Sequence, residues 1–207
     1  MSKAWEHIFT AMYDSLLWVA ERAGMRRRRR ELLSLASGRV LELGAGTGLN
    51  LALYPREIEG LVLTEPAAPM VSKLRRRAER SELRCSVVVA PAEKLPFEDD
   101  SFDTVVSTLV LCTVDDPRLA IGEIARVLRP GGRLLFLEHV RAESPRLARW
   151  QDRLHGPWHA FAAGCNANRA TVEILRESPL HVQGVANDHW SWMPALVHPL
   201  ATGTARA

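Results

Sequence analysis

The chain has 207 residues, 47% hydrophobic and 25% charged, which bounds it to a globular protein of ordinary domain size and excludes a disordered or fibrous one. Its formal charge of +3 owes much to one run, Arg26 to Arg30, so no broad nucleic-acid-binding surface is expected. Three separated cysteines, Cys85, Cys112 and Cys165, form no Cys-x-x-Cys pair; this argues against zinc sites and disulfide scaffolds and suits a reducing, cytoplasmic setting.

Trp5, Ile8, Phe9, Met12, Leu16, Val19 and Ala20 recur at helical spacing and predict an amphipathic N-terminal helix. Neither a signal peptide nor a membrane span is expected. A second helix is predicted over 25–35, closing at Gly38. The pattern then switches. Val40 to Leu43 reads as a short buried strand running into the turn Gly44-Ala45-Gly46-Thr47-Gly48, followed by a short helix over 50–54 that Pro55 cuts. Further strands are predicted at 61–65, 84–90, 102–107 and 133–138, with helices at 70–82 and 117–128 between them.

A helical cap rich in Trp, His and Arg follows over about 143–164, then a helix over 169–177 and strands near 182–185 and 203–206. Apolar strands alternating with helices imply an α/β fold: a Rossmann-like, doubly wound, mostly parallel seven-stranded sheet. The expected organisation is one domain, with N-terminal helices over 1–37, a cofactor-binding core over 38–140, a cap over 141–168 and a C-terminal helix and strands over 169–207.

Glycines between a strand and a helix let a ligand approach the backbone, and dinucleotide-binding proteins use the same device. Here the spacing is Gly-x-Gly-x-Gly, tighter than the dinucleotide fingerprint. Glu42, just before the turn, would repel a pyrophosphate but suits the ammonium or sulfonium end of S-adenosylmethionine. Glu65, at the end of the second strand, suits two ribose hydroxyls, which NAD would also present.

Taken together, the stretch from Glu42 to Gly48, Ala92-Glu93-Lys94-Leu95-Pro96-Phe97, Ser101-Phe102-Asp103 and Leu128-Arg129-Pro130-Gly131-Gly132 resemble the ordered motifs of class I methyltransferases of the ubiquinone/menaquinone-biosynthesis type. That resemblance implies S-adenosylmethionine as cofactor. It implies binding by Gly44, Ala45, Gly46 and Gly48, with Asn50, Glu65, Pro66 and Met70 around them. It sets Ala92 and Glu93 against the adenine, although Pro91 stands where many members have Asp. It sets Thr108 and Leu109 against the methionine portion and lays Tyr13, in a Tyr13-Asp14 pair, over the methionyl carboxylate.

A narrower likeness runs through Thr108-Leu109-Val110-Leu111-Cys112, Glu138-His139-Val140, Trp158-His159, Gly164-Cys165-Asn166 and Val197-His198-Pro199. These are similar to a methyltransferase-like group whose animal members are membrane-associated alkyl-thiol methyltransferases. The likeness implies a small lipophilic acceptor, best taken as a thiol. The acceptor pocket is then expected around Cys112, His155, Trp158, Cys165 and Asn166. A thiol demands little of a base, since its ordinary pKa is about 8.5. His139, after the fifth strand, stands where open α/β sheets bind ligands and is the first candidate for a general base, with His159 second. His155 and His159 share a helix face, but without an acidic partner no metal is expected.

The arginine run is read first as a solvated stretch with Glu31 as counter-charge, and alternatively as a patch for transient contact with an anionic membrane, where a phospholipid, quinone or phenol would be the acceptor. A monomer or homodimer is expected. A non-catalytic S-adenosylmethionine-binding protein and a dehydrogenase are the other readings.

Overall fold

The computed structural model describes residues 10–14, 18, 19, 21–190 and 193–207. Its centre is the expected seven-stranded sheet, with strand order β3-β2-β1-β4-β5-β7-β6. The strands are β1 (Arg39–Leu43), β2 (Gly60–Thr64), β3 (Cys85–Val88), β4 (Phe102–Thr108), β5 (Leu128–His139), β6 (His181–His189) and β7 (Pro199–Arg206). The first five run parallel, while β7 lies antiparallel between β5 and β6.

The helices are α1 (Arg26–Leu33), α2 (Ala68–Ala78), α3 (Pro117–Val127), α4 (Pro145–Phe161) and α5 (Thr171–Arg176). Strand residues alternate between two cores, as the two-residue period of a sheet dictates. Leu41, Leu43, Leu134 and Phe136 pack with Ile121, Ile124 and Leu175 on one face. Val40, Leu63, Leu135 and Leu137 pack with Leu32, Leu33 and Leu74 on the other. Helices cover both faces, which is why these strands read as continuous apolar runs.

Local chemistry sets several boundaries. Asp116 caps α3, its carboxylate accepting from the backbone N–H groups of Arg118 and Leu119, with Pro117 in the first turn. The helix expected over 50–54 is only a 3₁₀ turn, Leu51–Leu53, because Pro55 holds Tyr54 extended. The basic helix α2 starts and stops earlier than its apolar pattern suggested, taking Pro69 into its first turn. β5 is longer than expected and starts directly at the end of α3.

Most of the predicted N-terminal helix falls outside the described residues. Residues 10–14, 18 and 19 are helical, but Met12 and Val19 are exposed, so the expected apolar face is not buried there. Between this segment and α1 lies a π-helical turn, Glu21–Met25, kinked at Gly24 with φ 125°.

The chain winds from β1 outward to β3, then returns to β4 on the other side of β1. The C-terminal ends of β1 and β4 therefore border the crevice where open α/β sheets hold ligands. The cap helix α4 closes over this end of the sheet. Its buried Gln151 is the fastening: Nε2 lies 2.8–3.2 Å from the carbonyls of Val140, Ala167 and Leu196, and Oε1 accepts from Ala142 N–H at 2.8 Å.

Candidate active site

The glycine turn follows β1 directly. Gly46 has φ +56°, and a Cβ built there would meet nothing closer than the Gly44 carbonyl at 4.0 Å, so the turn leaves open space above its backbone. Gly44 and Gly48 serve packing instead. A side chain at Gly44 would strike Val110, and one at Gly48 would strike Leu51 and Leu74.

Below the turn lies a buried polar network. Glu42 accepts from Asn50 Nδ2 at 2.9 Å and from the Tyr54 hydroxyl at 2.7 Å. Asn50 Nδ2 also donates to Thr108 Oγ1 at 3.0 Å, joining the ends of β1 and β4. Burial raises the Glu42 carboxyl to about 7, against the lowering effect of its two hydrogen bonds. Each Glu42 oxygen thus accepts from one protein donor, and Asn50 links the carboxylate to the end of β4.

Glu65 is likewise engaged by the chain. Its oxygens accept from the N–H groups of Gly46 and Ala67, both at 2.9 Å, which ties the end of β2 to the glycine turn. Pro66 is exposed and Met70 buried at the start of α2. Ala92 is buried beyond β3, and Glu93 accepts from the Asp115 N–H at 2.9 Å.

The N-terminal segment reaches the turn through Asp14. Asp14 accepts from Thr47 Oγ1 and from Arg77, both at 2.7 Å. Arg77 also donates to the Thr47 carbonyl at 2.9 Å, and Lys73 donates to the Thr10 carbonyl at 2.5 Å. Although Tyr13 is partly exposed as a residue, its phenol is enclosed, and that burial raises its pKa.

The arginine run is not a uniformly solvated stretch. Arg27 pairs with Glu31 at 2.7 Å on the surface. Arg28 pairs with Asp188 of β6, with Nη2 at 2.8 Å from Oδ1. Arg29 is only 4% exposed and donates through Nη1 to Asn50 Oδ1 at 3.1 Å and Thr108 Oγ1 at 3.2 Å. Arg26 and Arg30 are exposed.

Past β4 the chain turns sharply through Leu109, whose φ of +61° is rare for a branched side chain. The next three backbone N–H groups converge on Glu138 at the end of β5. Its Oε1 accepts from the N–H groups of Val110 and Leu111, both at 3.1 Å, and from Ser107 Oγ at 2.6 Å, while Oε2 accepts from Cys112 N–H at 3.1 Å. Sequence reasoning passed over this carboxylate, although a lone acid in an apolar strand is itself a signal that buried donors await it.

On the cap side, Cys112, Cys165, Ala167 and Val197 form a small apolar cluster against Leu109, Trp158, Ala162 and Met193. The two thiols lie against each other, and that contact together with burial holds Cys112 protonated. Asn166 stitches the cap to the loop after β4, its N–H donating to the Cys112 carbonyl at 2.8 Å and its Oδ1 meeting His155 Nε2 at 2.7 Å. Four residues expected at the acceptor pocket, Cys112, Trp158, Cys165 and Asn166, are thus brought together, with His155 behind them.

His139 and His159 are not brought together. His159 is exposed on α4, its ring 5.6 Å from that of His155. His139 is 5% exposed and stacked on Trp190 at 5.7 Å, and its Nδ1 is buried without a hydrogen-bond partner. Burial lowers its pKa to about 4, which makes it a poor base, contrary to the role expected of an unperturbed imidazole.

Residues 41–136, spanning the turn, Glu42, Glu65 and β4, match the Methyltransferase domain family. The chain is 39% identical over 165 residues to the human (Homo sapiens) thiol S-methyltransferase TMT1B, covering 74% of this chain and 68% of that protein. It is 30% identical over 170 residues to the phosphatidylethanolamine N-methyltransferase of Cereibacter sphaeroides, covering 77% and 82%. The chain belongs to the S-adenosylmethionine-dependent methyltransferases. The fold agrees: a SAM-dependent methyltransferase structure from Thermotoga maritima superimposes over 99% of both chains with a TM-score of 0.71 and 23% identity. S-Adenosylmethionine is thus the cofactor of this methyltransferase, and the open backbone at Gly46, with polar groups buried beneath it, fits such a molecule.

Proposed function

We propose that this methyltransferase acts on a small lipophilic thiol. One observation carries the reading: the indole Nε1 of Trp158 is buried without a hydrogen-bond partner in an apolar wall beside Cys112 and Cys165. Its neighbour is the Cys165 sulfur, a weak acceptor that the N–H approaches without forming a well-aligned hydrogen bond. A neutral N–H in such a wall suits a soft, weakly hydrated anion such as a thiolate better than a phosphate or carboxylate.

S-Adenosylmethionine, when bound, supplies a methyl group activated by its sulfonium charge. The chain's own part is to align the acceptor, shed its water and hold the sulfur ionised. His139 stays neutral and walls the site with Trp190. The thiol proton leaves to solvent, which an ordinary pKa of about 8.5 allows. The thiol S-methyltransferase relative supports the same acceptor class.

The test is a screen with methyl-labelled cofactor across alkyl thiols, phenols and phosphatidylethanolamine, with pH profiles for thiols of different acidity. Methylation of alkyl thiols is expected, with an inflection in kcat/KM that follows the pKa of each acceptor. Transfer to phosphatidylethanolamine alone, or an inflection fixed near pH 6.5 for every thiol, would refute the reading.

A second reading concerns the membrane. The outward face of α4 carries Arg146, Arg149, Trp150, Arg153 and Leu154 at helical spacing, all exposed, with Trp150 at 50%. Basic and aromatic residues on one face suit an anionic lipid surface, from which a lipophilic acceptor could enter. Among the described residues no helix is long and apolar enough to cross a membrane. The partition coefficient onto phosphatidylserine vesicles, read by co-sedimentation, should fall about 100-fold or more when Arg146, Arg149 and Arg153 become Glu, at roughly 1 kcal/mol for each of the lost cations; unchanged sedimentation removes this reading.

A further inference from the structure

The two thiols of the apolar wall come from distant stretches of chain, each delivered by a left-handed turn. Leu109, at φ +61°, swings the loop after β4 that carries Cys112. Ala163 and Gly164, at φ 51° and 91°, end α4 and bring Cys165 against it. The contact is fastened on both sides. Asn166 donates to the Cys112 carbonyl through its backbone N–H at 2.8 Å and through Nδ2 at 3.1 Å. Arg169 Nη1 donates to the carbonyls of Leu111 and Val114 at 2.6 and 2.8 Å. A backbone bond from residue 166 to residue 112 keeps the Cα atoms of the two cysteines within about 7 Å, which is the reach of a disulfide.

The two sulfurs differ. Cys112 is fully buried, whereas Cys165 keeps 5% of its surface. The Cys112 S–H and the Trp158 N–H both favour negative charge on the Cys165 sulfur, with a smaller contribution from the Arg169 guanidinium, and together they lower its pKa against the effect of burial. A nucleophilic thiol thus lies in contact with a second thiol able to resolve it.

We propose that Cys112 and Cys165 are a redox pair that a hydroperoxide closes into a disulfide, shutting the acceptor pocket while the cofactor turn stays open. The Cys165 thiolate attacks one peroxide oxygen, the O–O bond breaks, hydroxide leaves and a sulfenic acid forms. The Cys112 sulfur then attacks the Cys165 sulfur; the S–S bond forms, the S–O bond breaks, and the hydroxyl departs with the Cys112 proton as water. Two electrons pass from the thiols to the peroxide. Drawing the sulfurs from contact to about 2.05 Å moves Cys165 from its place beside the Trp158 N–H and ties the cap covalently to the loop. A thiol acceptor would reopen the pair, two thiolates displacing the cysteines in turn and leaving as their own disulfide. The pairing rests on geometry alone; its effect on turnover rests on the acceptor reading above.

The experiment treats the whole protein with hydrogen peroxide, removes the peroxide, and follows peptide masses and methylation of an alkyl thiol. Tryptic peptides 95–118 and 154–169, which carry Cys112 and Cys165, should appear linked, with Cys85 in a separate peptide. Methylation should start at least about tenfold below its final rate, after loss of the Trp158 contact. It should rise through a lag that shortens as thiol concentration grows and that a phosphine reductant abolishes. Affinity for S-adenosylhomocysteine should change less than about threefold. Cys112→Ser should give neither linked peptides nor a lag, judged against its own final rate, and Cys85→Ser should keep both.

Linked peptides without a lag, a lag that persists in Cys112→Ser, or oxidation confined to unlinked cysteines would overturn the proposal. Should Cys112→Ser fail to fold, the phosphine decides in wild type: a lag that it leaves intact overturns the pair. If the reduced protein methylates no alkyl thiol, the acceptor reading fails, and the linked peptides alone then decide whether the pair exists.

Discussion

The cofactor side and the proposed acceptor side of the site are built from opposite materials. Beneath the glycine turn, Glu42, Asn50, Thr108 and Arg29 form a continuous chain of buried hydrogen bonds. Across the loop after β4, Cys112, Cys165, Val197 and Trp158 make an apolar wall with one unbonded N–H. A polar network fixes one ligand in one pose, because each misplaced group leaves a buried donor or acceptor unpaired. An apolar wall discriminates by size and shape, where a methylene more or less is worth only about 1–3 kcal/mol. The enzyme should therefore be strict toward its cofactor and tolerant toward its acceptor. Glu138, holding the loop between them, belongs to both.

The sharpest way to break this contrast is Glu138→Ala. It strips acceptors from Ser107 Oγ and three backbone N–H groups and should cost about 3–5 kcal/mol in denaturant unfolding. Cofactor and acceptor binding should fail together at physiological temperature. A loss below about 1 kcal/mol would mean that the two halves are held independently.

Glu42→Gln probes the polar half through pH. The folded chain keeps the Glu42 proton up to about pH 7, whereas the unfolded chain releases it near its ordinary value of 4.5. Between those limits the folded state holds more protons, so this group's contribution to stability declines as pH rises and is spent above about 7. Gln mimics the protonated acid. The variant should match wild type near pH 4 and exceed it by up to about 3 kcal/mol at pH 8 in the ligand-free protein. Parallel pH curves for the two proteins would contradict a buried, proton-retaining Glu42.

Gly46→Val separates the halves. Its side chain would fill the open space over the turn at a backbone angle that branched residues avoid, so S-adenosylhomocysteine should weaken by about 100-fold, or about 2.7 kcal/mol. The smallest effect is expected from Trp158→Phe, which keeps the ring and removes the N–H. About tenfold in kcat/KM for alkyl thiols should go, with cofactor affinity unchanged. Cofactor loss in Trp158→Phe, or acceptor-specific loss in Gly46→Val, would erase the division.

What could be read from the sequence was local. The strand-turn-glycine unit and the Asp116-Pro117 helix start depend on neighbours within a few residues, and the structure has them where the pattern put them. What could not be read depended on distant partners. His139 looked like a free imidazole until Trp190 stacked on it from 51 residues away, and Asp188 claims Arg28 from 160 residues away. Arg29 shares a helix face with the buried Met25, Leu32 and Leu33, so its inward turn follows from spacing, but its partners Asn50 and Thr108, 21 and 79 residues away, do not. Glu138 was hidden by its neighbour, because His139 looked the more reactive of the pair.

The amide of Gln151 carries one more implication. Because it grips carbonyls from three separate stretches of chain, swinging α4 outward would mean breaking every one of those contacts at once. Access to the proposed acceptor pocket should then depend on the width of a standing doorway rather than on a hinged gate, and bulk near the methylated atom, more than chain length, should decide which compounds get through.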